Sequence, residues 1–192
     1  MSEAERPFVL IVDDEPDERF SFAENLRANL EVEVVHPNDV TCDHVGLANL
    51  VLVDYRLDHW RERDQISQAA LRPLNGIALV GVLRAHAEAD RAHSSPAFSL
   101  LSAHLGDLSP DFPPEPRPHI LAQSLNLEWI FSKGNLERTI PQITTLAKAM
   151  KSFPRSWKHE DYLGTLSQLK QLLDLKDDMP GRRLAYEDVD VS

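Results

Sequence analysis

Cysteine is nearly absent. Cys42 stands alone in 192 residues, so no internal disulfide can form and a disulfide-stapled secreted fold is ruled out. Glycine is scarce at 7 residues, with no array that could cradle a nucleotide phosphate. The 8 histidines show no HExxH or similar ligand spacing, which argues against a dedicated zinc site. Long apolar stretches are missing. Runs such as Phe8–Val12 and Leu50–Val53 are strand-sized, far below the roughly 18 residues that a membrane span needs. The opening MSEAERP carries Glu3 and Glu5 where a secretory leader wants basic residues and a long apolar run, so a cytoplasmic location is expected. Basic charge is in deficit: 20 Lys and Arg against 31 Asp and Glu give a net charge of −11. Binding to a phosphate backbone takes Lys and Arg clusters, so no nucleic-acid partner is expected.

What is present suits a globular chain. Apolar residues make up 42% and charged residues 27%. Phe8–Val12 is apolar on both faces, as a strand covered by helices on both sides must be. It stops at Asp13-Asp14-Glu15, and Pro16 then sits where a helix tolerates proline, in its first turn. Phe22, Leu26 and Leu30, with Ala23 beside them, follow at helical spacing. The alternation continues. Val32–Val35 predicts a second strand and residues 39–46 a short weak helix, with Cys42 as a small apolar residue in it. Leu50–Val53 predicts a third strand, ending in Asp54. A helix follows from Gly76 through Leu83, with Arg84 near its end. Ala97–Leu101 ends in Ser102, residues 120–125 are helical, and Glu128–Ser132 ends in Lys133. Leu136, Ile140, Ile143, Leu146 and Met150 predict a last long helix. Five strands alternating with five helices predict an α/β fold, a doubly wound five-stranded parallel sheet whose function sits at the carboxyl ends of the strands.

Two stretches break the rhythm. Residues 58–73 contain Trp60 between charged neighbours and a helical turn expected at Gln65–Leu71. Residues 106–118 hold Pro110, Pro113, Pro114, Pro116 and Pro118, too dense for helix, so an extended loop is expected. Both insertions leave from strand carboxyl ends. Domain boundaries are expected at 1–6 for a flexible start, 7–153 for the sheet domain and 154–192 for a C-terminal helical extension. In that extension Tyr162, Leu166, Leu169 and Leu173 form a short heptad-like seam.

The strand ends collect Asp13, Asp14, Asp54, Ser102 and Lys133. Three carboxylates in one crevice repel unless a cation neutralises them, and an oxygen-only donor set open to water suits Mg²⁺. A lysine and a hydroxyl beside them supply donors for phosphate oxygens. Together they form a set able to move a phosphoryl group onto a carboxylate.

These residues resemble the receiver domain of two-component response regulators. The resemblance rests on Val12-Asp13-Asp14-Glu15, Val51-Leu52-Val53-Asp54, Asn75-Gly76-Ile77, Leu101-Ser102-Ala103 and Ser132-Lys133, in order and each at a strand end, and it covers about residues 7–153. It implies a flavodoxin-like receiver in which Asp54 accepts a phosphoryl group from a sensor histidine kinase or a phosphotransfer protein. Asp13, Asp14, Asp54 and the backbone carbonyl of Arg56 would hold Mg²⁺. Lys133 would pair with the phosphoryl oxygens, and Ser102 would donate to them. Arg56 and His104 hold the positions that tune dephosphorylation in the family.

The chain departs from the family in three places. Asp54 and Gly76 are separated by an enlarged loop, and Gly134 follows Lys133 where the family has proline. Ile130 also stands at the usual place of the switch aromatic, between Trp129 and Phe131. The expected output is a protein–protein contact to a downstream partner. The tail is expected to pack back on the receiver, with self-association through the last receiver helix or the tail left open as the alternative, and no substrate turnover is expected. Two other readings stay open: a pseudo-receiver scaffold that binds without phosphorylation, and a Mg²⁺-dependent phosphohydrolase with an aspartyl-phosphate intermediate.

Overall fold

The structure, a computed structural model, describes residues 6–65, 72–89, 96–103 and 118–152, with Arg61, Glu62, Pro118 and His119 described as backbone only. All of these lie in the first of the two units into which the chain divides, Met1–Ser156. The expected tail 154–192, with its heptad-like seam, lies outside the described residues, as does the proline-rich stretch before Pro118.

Five parallel strands form one sheet: β1 (Phe8–Val12), β2 (Glu31–Val35), β3 (Leu50–Asp54), β4 (Ala97–Ser102) and β5 (Trp129–Ser132), in the order β2-β1-β3-β4-β5. The chain steps from β1 outward to β2, then crosses back to place β3 on the other side of β1. That reversal opens a crevice at the carboxyl ends of β1 and β3, where ligands bind in sheets of this type. The register is regular throughout, with Val12 opposite Val53 and Ser102 opposite Ser132. β3 and β4 are buried at every residue, as central strands with helices on both faces must be. β2 is one edge, and its Glu31 and Glu33 face solvent.

Among the described residues five α-helices cover the sheet: α1 (Phe20–Arg27), α2 (Cys42–Leu47), α3 (Gly76–Ala89), α4 (Pro118–Ser124) and α5 (Leu136–Ser152). Leu10, Val51, Val53, Phe98, Leu100 and Ile130 pack with Val45, Leu79, Val80, Leu83 and Leu121 into one core. The alternate residues, such as Ile11, Leu52 and Phe131, turn to the opposite face, where α1 and α5 touch. Among the described residues no helix is long and apolar enough to cross a membrane.

Several local expectations are corrected. The helix expected from Pro16 is split. Pro16–Arg19 forms a 3-10 turn, and α1 begins only at Phe20. Leu30 lies past the end of α1 and is still buried. Cys42 is exposed rather than part of the core. It opens α2, where the Thr41 hydroxyl accepts from the His44 N–H and the His44 ring accepts from the Thr41 N–H, a reciprocal cap. A 3-10 turn occupies Arg61–Gln65, ending where the turn at Gln65–Leu71 was expected; residues 66–71 lie outside the described residues. Pro118 starts α4 rather than ending a loop, consistent with proline's tolerance of a first helical turn.

The enlarged loop leaves and returns at the same place. Leu57 is fully buried and Trp60 is 6% exposed, its indole N–H donating to Asn38 Oδ1 at 2.8 Å. On return, the Gly76 N–H donates to Tyr55 O at 2.9 Å and Asn75 Oδ1 accepts from the Ala78 N–H at 3.0 Å, capping α3. A Cβ on Gly76 would stand 2.1 Å from Asp54 O, so only glycine lets α3 start this close to β3.

Candidate functional site

The ends of β1, β3, β4 and β5 carry the side chains that the sequence singled out. Asp13 follows β1 and is fully buried; Asp14 beside it is 8% exposed. Asp54 is the last residue of β3 and is 5% exposed. Ser102 ends β4, buried next to the register pair of Asp54 and Leu101. Lys133 follows β5, and its backbone N–H donates to Ser102 O at 2.8 Å. Asp13, Asp14 and Asp54 each offer one carboxylate oxygen within 4.8 Å of the others.

Two side-chain cations lie against this cluster. Lys133 Nζ lies 2.5 Å from Asp54 Oδ2 and 3.6 Å from Asp13 Oδ2. Gly134 in place of proline therefore does not keep the lysine from the pocket. Arg19 was not singled out by the sequence. Its Nε lies 2.5 Å from Asp13 Oδ2 and its Nη2 3.7 Å from Asp54 Oδ2. The signal was faint: an arginine six positions after Asp13, on a proline-opened turn that folds back over the end of β1.

Backbone donors complete the shell. The Glu15 N–H donates to Asp13 Oδ1 at 2.9 Å and the Arg56 N–H to Asp54 Oδ1 at 3.3 Å. The enlarged loop supplies the third: the His59 N–H donates to Asp14 Oδ2 at 2.6 Å, and its ring pairs with Glu15 at 2.7 Å. Nothing in the sequence marked His59, because its role depends on where the loop folds.

Burial pushes the Asp54 carboxyl up to about 6, with Lys133 opposing and the Asp13 charge adding to the rise. Burial also raises Asp14, against the pull of the His59 amide. His59 is raised by its Glu15 partner. Arg56 is exposed and lines an open cleft of about 390 Å³ with Tyr55, Asp58, Leu74 and Asn75. His104 lies outside the described residues. In β5, Ile130 faces the core with Phe98 and Leu100 while Trp129 and Phe131 take the other face; the register is regular, so no bulge moves either aromatic into its place.

No protein-family model matches the chain, and a comparison with curated proteins finds no match. Solved structures do match. A CheY-like response regulator receiver domain from Methylobacillus flagellatus aligns over 74% of this chain and 99% of its own, with 18% identity and a TM-score of 0.51. The fold is that of a response-regulator receiver domain. A receiver protein from Pseudomonas putida aligns over 76% of this chain and 98% of its own at 16% identity, TM-score 0.43. A response regulator from Burkholderia pseudomallei, solved with a phosphorylated aspartic acid and a calcium ion, aligns over 88% of this chain and 92% of its own at 13% identity, TM-score 0.44.

The donor set of this receiver fold suits a hard divalent cation. It consists of three carboxylates at mutual reach, with no sulfur or imidazole among the clustered ligand atoms. Asp13, Asp14 and Asp54 face only two side-chain cations, Lys133 and Arg19, among the described residues.

Proposed function

We propose that the chain is a phosphorylatable receiver, with residues 7–153 as the receiver and 154–192 as a helical extension. Asp54 is the acceptor. The observation that carries this reading is the position of Asp54, buried at the end of the central strand with Lys133 on one oxygen and the two aspartates of β1 beside it. An Asp54 oxygen attacks the phosphorus of a phosphohistidine on a histidine kinase or phosphotransfer protein. The P–O bond forms as the P–N bond breaks, and the electron pair stays on the imidazole nitrogen. Lys133 moves from the Asp54 oxygen to the incoming phosphoryl oxygens, and Ser102 donates to them. Asp13, Asp14, Asp54 and the Arg56 carbonyl would hold Mg²⁺, which would supply charge neutralisation there. Arg56 and His104 hold the positions that tune dephosphorylation in the receiver family. The chain turns over no external substrate, acts through protein contacts and works in the cytoplasm.

The test is intact mass after incubation with Mg²⁺ and a small-molecule phosphodonor. One added phosphoryl group is expected, absent without Mg²⁺ and absent in Asp54→Asn.

One observation favours a second reading, a scaffold that binds without phosphorylation. Arg19 and the His59 amide already occupy the Asp13 and Asp14 carboxylates. That reading expects no adduct, and no change in tryptophan fluorescence with beryllofluoride and Mg²⁺.

A further inference from the structure

Arg19 touches both Asp13 and Asp54, and the receiver reading leaves it without a task. We propose that Arg19 competes with a divalent cation for the Asp13 carboxylate, so that its guanidinium sets how tightly the pocket takes Mg²⁺. The inference rests on the receiver reading only for the identity of the cation.

Both Asp13 oxygens are engaged. Oδ1 accepts from the Glu15 N–H at 2.9 Å, and Oδ2 carries Arg19 Nε at 2.5 Å with Lys133 Nζ at 3.6 Å. Mg²⁺ binds carboxylate oxygens at about 2.0–2.1 Å and demands near-octahedral geometry. A guanidinium on the same oxygen repels it and blocks its approach. The charge balance agrees. The three aspartates face two side-chain cations, Arg19 and Lys133. Adding a divalent cation to that set leaves an excess of positive charge, whereas exchanging Arg19 for it brings the pocket to neutrality.

Arg19 is also the side chain built to leave. It sits on the one-turn 3-10 helix Pro16–Arg19, which has no buried residue, and its side chain is 23% exposed. Lys133, by contrast, centres on Asp54 and is anchored through its own backbone to Ser102 O. At Asp14 the neighbour is a neutral amide, the His59 N–H on Oδ2, which sets no cation against the metal. Competition therefore concentrates at Asp13.

Calorimetric titration of Mg²⁺ into the full chain tests this, with Arg19→Gln, Arg19→Lys and Asp14→Asn alongside. Arg19→Gln is expected to bind Mg²⁺ about tenfold more tightly, equivalent to about 1.4 kcal/mol. Arg19→Lys, which keeps the charge without the planar fork, should fall between. In chelator, Arg19→Gln should unfold at a lower temperature than the parent, and its gain on adding Mg²⁺ should be larger, since the carboxylates lose their internal cation. Circular dichroism checks that each variant is folded. If Asp14→Asn abolishes binding but Arg19→Gln binds Mg²⁺ no more tightly than the parent, the competition is refuted and the receiver site stands. If neither the parent nor Arg19→Gln binds Mg²⁺ at tens of millimolar, the metal pocket itself is refuted and the competition with it.

Discussion

Asp54 pairs a buried carboxyl with a buried acidic neighbour, and its chemistry follows from that. Burial holds it at about 6, against an ordinary 3.8. The folded chain therefore binds this proton more tightly than the unfolded chain. The stabilising contribution is complete below the unfolded value and is lost as pH rises through the folded one. Between about pH 4 and pH 7, in chelator, the stability of the parent relative to Asp54→Asn should fall by on the order of 2 kcal/mol. Urea unfolding across that range measures it, and a flat difference would place the carboxyl in the ordinary range.

A second buried group is less well served. Ser99 is fully buried in β4, and its hydroxyl has no hydrogen-bond partner among the described residues. An unmade buried hydrogen bond costs stability, so Ser99→Ala should stabilise the fold by about 1 kcal/mol. The urea midpoint should rise at constant slope; a drop would reveal a partner for the hydroxyl.

Among the elements, α3 contains two glycines with opposite demands. Gly76 stands where a Cβ would press on the Asp54 carbonyl, whereas Gly81 is exposed with nothing within 4 Å of the added atom. Gly81→Ala should therefore stabilise by about 1 kcal/mol through helix propensity alone. Gly76→Ala should cost about 3 kcal/mol or more, because backbone faces backbone and neither α3 nor β3 can give way. Thermal unfolding of the two variants, read together, tests whether α3 is held hard against the phosphoacceptor strand. Both glycines look alike in the sequence, where each precedes apolar residues at helical spacing. The strands were more legible. Phe8–Val12 and Leu50–Val53 are apolar on both faces, which only a covered central strand allows, and their polar stops marked the site. Helix starts were less legible because local chemistry there is permissive: Pro16 suits a 3-10 turn as well as an α-helix, and α2, capped by Thr41, begins three residues later than the pattern suggested.

At the scale of the molecule, the sheet order brings the ends of β1, β3, β4 and β5 to one rim, and the receiver fold follows from that order. Asp13, Asp14, Asp54, Ser102 and Lys133 could be named from the chain alone because a strand end is a local event: an apolar run must stop, and the polar residue at the stop stands at the edge of the core. Strand alternation likewise determined that Trp129 and Phe131 would flank, rather than occupy, the place of Ile130. The tertiary structure alone decided how those carboxylates are shared. Arg19 reaches Asp13 through a turn that folds back on its own strand, the His59 amide reaches Asp14 across 45 positions, and Trp60 is buried through an indole bond to Asn38. Such contacts depend on where a loop returns in space, and no periodicity in the sequence encodes that.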